Sequence, residues 1–148
     1  MSAVQPGDRG RLRQELYDRS TDCHWCGVRV RIVPTVARGQ QIPDDMATLE
    51  HLVPECRGGE YGLGNMVLAC MRCNSVRSNY PTLLYALRTN IEAATEQIAN
   101  LLALRKQKRL TNTQKWRLGG ARKRLREHQA LAEKVAAGPF TPSELQAS

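Results

Sequence analysis

Apolar positions along this chain follow two patterns that meet at Pro81. From Thr82 to Lys108, Leu84, Leu87, Ile91, Ala94, Ile98, Leu101 and Leu102 recur at threes and fours, as on one face of a long amphipathic helix. The stretch "LTNTQ" then supplies helix-capping residues, and a second helix is predicted from about Thr113 to Ala137, stopped by Gly138-Pro139. So short a connection folds the two helices back as an αα-hairpin. Gly119-Gly120 lies inside the second helix and costs roughly 1 kcal/mol per glycine relative to alanine, so a kink or break is expected there.

Before Pro81 the elements are shorter. Gly10 to Ser20 places Leu12, Leu16 and Tyr17 on one face of a short helix with arginines opposite. In "CHWCGVRVRI" a Cys-x-x-Cys turn is closed by Gly27, and Val28, Val30 and Ile32 alternate with arginines as in a strand. "VPTVARGQQIPDD" reads as a loop. "ATLEHLV" and "NMVLAC" are short strands joined by a Gly-rich connection in which Gly58-Gly59 makes a tight turn, and "CMRCNSVRSN" carries a second cysteine turn into a helix. The class is α+β, divided into a cysteine-bearing core (1–81), a helical hairpin (82–138) and a tail (139–148).

Charge sharpens this division. Residues 1–81 carry ten Lys/Arg against nine Asp/Glu, whereas residues 82–148 carry twelve against five, so the +8 chain holds its polyanion footprint in the hairpin. Arg105, Lys106, Lys108, Arg109, Lys115, Arg117, Arg122, Lys123, Arg124 and Arg126 form one run without an acid, and DNA phosphates are the expected partner. A solvated helix face is the plainer alternative, and the apolar stripe also suits a homo-oligomer or protein contact. Trp116, amid these cations, is expected to pack against the first hairpin helix more readily than to stack on a base. No run approaches the roughly eighteen apolar residues of a membrane span, and the N-terminus lacks a secretory apolar segment, so a cytoplasmic protein is expected.

In a reducing compartment, five cysteines with four in two C-x-x-C pairs read as metal ligands before disulfides. Cys23, Cys26, Cys70 and Cys73 offer four thiolates to tetrahedral Zn2+; a shell closed by four sulfurs makes that zinc structural. His24 is then an exposed knuckle residue, and Cys56, the unpaired fifth cysteine, is there for packing or by chance. Between and just beyond the pairs lie Glu50, His51, Asn65 and Asn74. Phosphodiester hydrolysis needs a base for water and stabilisation of developing charge. A neutral His51 serves as base, Glu50 and Asn74 are hard oxygen donors suited to Mg2+ or Mn2+, and Arg77 could hold a phosphate bidentately. Strand neighbours point to opposite faces, so Glu50 and His51 can share a groove only at a strand end or irregularity.

The joint pattern "LYDRSTDCHWCG…TLEHLVPECRGGEYGLGNMVLACMRCNSVRSN" resembles the HNH endonuclease family in its zinc-containing form, over roughly residues 12–79. The resemblance implies a ββα-metal, treble-clef-like core pinned by two cysteine knuckles. It also implies His51 as general base, Asn65 as the residue orienting it, Asn74 as a ligand of the catalytic divalent ion, and products with a 5′ phosphate. Glu50 stands where the family usually has Asp. The expected activity is metal-dependent cleavage of DNA, most simply duplex. A zinc-stabilised DNA-binding module without cleavage, and an accessory or assembly protein such as one used in phage DNA packaging, are the alternatives.

Overall fold

The computed structural model describes residues 6–137; the Gly138-Pro139 stop and the tail lie outside the described residues. Helix α1 spans Pro6–Arg19 and starts four residues earlier than its apolar face suggests, with a proline in the first turn, where a missing N–H costs nothing. Leu16 and Tyr17 rest against the core. Val28 to Ile32 does not form the expected strand. Only isolated bridges occur, Asp22 with Arg29 and Arg31 with Met46; Val28 stays 41% exposed, while Val30 is buried and Ile32 packs partly buried against the core.

Strands β1 (Ala47–His51) and β2 (Met66–Cys70) pair antiparallel in a register running from Ala47 opposite Cys70 to His51 opposite Met66. A 3-10 turn at Glu55–Arg57 interrupts their connection and ends at Gly58, whose φ of 85° is the left-handed conformation glycine adopts without strain. Gly59 is needed for a different reason: a Cβ there would lie 1.7 Å from the Val53 carbonyl oxygen. Helix α2 (Met71–Arg77) follows β2 without a loop because Cys70 is its N-cap, its Sγ accepting from Cys73 N at 3.4 Å. The result is a ββα unit.

Helices α3 (Leu83–Gln107) and α4 (Asn112–Ala136) form the hairpin, each about 37 Å long. Thr82 caps α3 by accepting from Tyr85 N, and Thr111 with Gln114 makes a reciprocal capping box at the start of α4. Contrary to the expected break, α4 runs unbroken through Gly119-Gly120. Leu118 and Ala121, on either side of the pair, are buried, and such packing outweighs a propensity cost of roughly 1 kcal/mol per glycine.

Leu83 and Leu87 of α3 and Leu131 and Val135 of α4 are buried in one cluster with Cys23, Trp25, Val30, Leu68 and Cys73. At roughly 1.5–3 kcal/mol per buried aliphatic side chain, this joint core fastens the open end of the hairpin to the ββα unit. Further out, Ile91, Ile98, Leu101 and Leu102 are only half-buried, because one partner helix covers one side of each. The closed end therefore projects from the body of the protein.

Candidate metal centre and active site

The first cysteine turn closes through Gly27 N to Cys23 O at 2.9 Å, with Gly27 at φ 68°, and is tied to β2 by His24 N to Leu68 O at 2.8 Å. This tie brings Cys23 and Cys26 to the end of β2 and the start of α2, where Cys70 and Cys73 lie. The four Sγ atoms are within 4.8 Å of one another, and Cys26 and Cys70 are 3.9 Å apart. Tetrahedral zinc, with Zn–S near 2.3 Å, sets its sulfurs about 3.8 Å apart, so the cluster fits. Without a cation such crowding divides the thiols. Hydrogen bonding from Cys26, then Cys70 and Cys73, pulls Cys23 far down, while contact with Cys23, then Cys26, pushes Cys70 and Cys73 far up. A dication removes this conflict by accepting all four as thiolates. His24 is outside the cluster and half-buried, not exposed, with its ring edge-on to Trp25 at 4.9 Å.

His51 ends β1. Its Nε2 is buried without a hydrogen-bond partner among the described residues, and its ring meets Tyr61 edge-to-face at 5.0 Å. Burial holds its pKa below the usual 6.5; Glu55 opposes the shift, and the Arg77 and Arg9 charges add to it. The imidazole is thus neutral at physiological pH, as a general base must be.

Asn65 fixes the chain beyond His51 without a direct bond to the imidazole among those observed. Its Oδ1 accepts from Val53 N at 2.8 Å, and its Nδ2 donates to Val53 O at 3.1 Å and Glu60 O at 2.9 Å. Leu52 N also reaches Asn65 O at 2.8 Å. It therefore fixes the backbone of Leu52 and Val53, the two residues after His51. Asn74 ties α2 to β1, its Nδ2 donating to Thr48 Oγ1 at 3.0 Å and Leu49 O at 3.2 Å. With both amide hydrogens spent, Oδ1 is the atom Asn74 can offer to a ligand.

Glu50 lies in a regular ladder opposite Val67, so its side chain points away from the His51 face and is only 3% exposed. Its carboxylate pairs with Arg77; burial pushes its pKa up, partly offset by Arg77 and, more weakly, by the nearby Trp25 side chain. Of the expected oxygen donors, Asn74 retains a suitable atom, whereas the Glu50 carboxylate is engaged by Arg77.

Arg77 also departs from expectation. It is 1% exposed, and its Nη2 donates to Leu52 O at 2.8 Å and Pro81 O at 3.2 Å, so it braces the site from within and cannot reach a phosphate. The cation near His51 is instead exposed Arg9, 5.4 Å from the Tyr61 ring centroid. Neither Arg9 nor Tyr61 carries a spacing signal in the sequence. Arg9 looks like one more solvated arginine of α1, and Tyr61 lies in a Gly-rich loop.

On the hairpin, all ten cations from Arg105 to Arg126 are exposed. Trp116 does not pack against α3 but stands 79% exposed, since the α3-facing side of α4 is taken by Leu118 and Ala121.

The chain thus combines a ββα unit, four clustered cysteines fit for zinc and a histidine at the end of the first strand. Residues 23–79 match the family model described as HNH endonuclease. Neither the curated proteins nor the solved structures give a match. Among the described residues no helix is long and apolar enough to cross a membrane.

Proposed function

We propose that the protein is an HNH endonuclease that hydrolyses DNA phosphodiester bonds, with His51 as general base, zinc on Cys23, Cys26, Cys70 and Cys73 as a structural staple, and the basic hairpin as its grip on DNA. The observation that carries this reading is the HNH match over a segment whose histidine is kept neutral by burial. His51 takes a proton from the attacking water, and Asn65 keeps the following chain in place as it does so. Arg9, above Tyr61, is the cation able to face the scissile phosphate from the His51 side. We retain the family's requirement for Mg2+ or Mn2+, with Asn74 and not Glu50 as the assigned oxygen donor.

A second reading, a DNA-binding module that does not cleave, is favoured by one observation, the commitment of Glu50 to Arg77. Supercoiled plasmid incubated with Mg2+, Mn2+ or EDTA separates the two. The nuclease reading expects nicked or linear product with either metal, none with EDTA, and a loss of about 10²–10⁴-fold in rate in His51→Ala. Plasmid that is bound but uncut under every condition establishes the second reading.

A further inference from the structure

Trp116 is the most exposed large apolar side chain among the described residues, at 79%. Helical side chains lean toward the N-terminus, so the residues that would lean over Trp116 are those three and four positions later. Here they are Gly119 and Gly120; a Cβ added at Gly119 would meet nothing within 4 Å, and one at Gly120 would meet only Arg124 Nη1, at 3.4 Å. The indole thus stands beside open space. Gly119 also lines a cleft floored by Leu110 and Leu118 and walled by Arg105, Arg109, Lys115 and Arg122. An aromatic ring and a cationic cleft therefore share one edge at the closed end of the hairpin.

The charge around the ring selects the partner. No acidic residue occurs from Arg105 to Arg126, so a polyanion is favoured over an apolar or basic protein surface. Duplex DNA offers phosphates to such a cleft but keeps its base faces stacked inside. Only an unpaired strand presents both a phosphate backbone and a free base face. We propose that the closed end of the α3–α4 hairpin binds single-stranded nucleic acid, one base stacking on Trp116 while backbone phosphates lie between Arg105, Arg109, Lys115 and Arg122. This rests on the hairpin being the nucleic-acid-holding part and does not depend on cleavage by His51. The strand would be held about 27 Å along α3 from Leu87, the residue that anchors the hairpin in the core.

The test uses the full-length zinc-loaded protein, an oligothymidylate of about ten nucleotides and a duplex of equal length. Of the two tryptophans, Trp25 is 7% exposed, so quenching by a stacked base reports on Trp116. Oligothymidylate should quench the emission. Trp116→Ala should weaken its binding about tenfold in fluorescence anisotropy and leave duplex binding and thermal midpoint nearly unchanged, with Trp116→Phe between the two. Duplex binding with no quenching and no effect of Trp116→Ala would overturn the stacking proposal alone. Failure to bind either nucleic acid would overturn it together with the hairpin's role. Blue-shifted emission on phosphatidylserine vesicles, with no oligothymidylate binding, would reassign this surface to membranes.

Discussion

Asn65→Ala should loosen the loop behind His51 by an amount that follows from its hydrogen bonds. The amide makes three, to Val53 N, Val53 O and Glu60 O, at 2.8, 3.1 and 2.9 Å. At about 0.5–1.5 kcal/mol net for each, the sum is about 1.5–4.5 kcal/mol, and solvent access to the loop places the expected loss near its lower end, about 2 kcal/mol. Asn65→Asp keeps the acceptor for Val53 N but loses both donors, and sets a carboxylate against two carbonyls. It should therefore cost at least as much as alanine. Urea denaturation of the zinc-loaded protein, with linear extrapolation, measures both variants. Because Asn65 acts through the backbone after His51, cleavage should fall with the pH profile unmoved. If Asn65→Ala stays within about 0.5 kcal/mol of wild type, the amide does not clamp the loop and His51 is oriented by something else.

Three further outcomes are expected. Metal analysis should find one zinc per chain, and Cys70→Ser should lower both zinc content and thermal midpoint, because Cys70 is at once a cluster member and the N-cap of α2. The acid limb of the single-turnover cleavage profile should have its midpoint below pH 6.5, since burial lowers the His51 pKa and the base works only when deprotonated; a midpoint above 6.5 would contradict this. Changing Arg122, Lys123, Arg124 and Arg126 to Gln should weaken duplex binding and reduce its salt slope by roughly 0.9 for each phosphate no longer neutralised, as measured by anisotropy at several salt concentrations; an unchanged slope would leave the hairpin as a protein-docking element.

Legibility in the sequence followed the range of the interactions. The hairpin helices were readable to within one residue because their limits are set locally, by Thr82 and Thr111 as caps and by the apolar repeat. The cysteine pairs were readable because metal geometry restricts ligand spacing. Val28 to Ile32 misled because alternation predicts a strand only where a partner edge exists, and here the neighbouring segment offers isolated bridges. Trp116 misled because its environment depends on which side of α4 faces α3, set by Leu118 and Ala121. The separation of Glu50 from His51 follows from the unbroken register of β1 on β2, which the adjacency rule states but which a sequence cannot show to hold through the last strand residue.

Glu50 is also where an ordinary mutant would mislead. Glu50→Ala leaves Arg77 buried and unpaired, and breaking a buried pair from one side costs about 3–5 kcal/mol, so absent cleavage would report unfolding as readily as a missing metal ligand. Replacing both partners with apolar residues of similar volume removes this ambiguity, because a buried pair exchanged for packed hydrophobic side chains is often neutral in stability. Glu50→Leu with Arg77→Met should therefore keep the zinc and the fold, with a thermal midpoint lowered only by the loss of Arg77's two bonds to Leu52 O and Pro81 O, about 0.5–1.5 kcal/mol each. If Glu50 supports the site only from behind, the doubly substituted protein should also keep its Mg2+ titration midpoint, with whatever rate remains. A folded, zinc-loaded double variant whose metal titration shifts strongly to higher Mg2+ would return Glu50 to the ligand set, and would require its carboxylate to exchange Arg77 for the metal during the reaction.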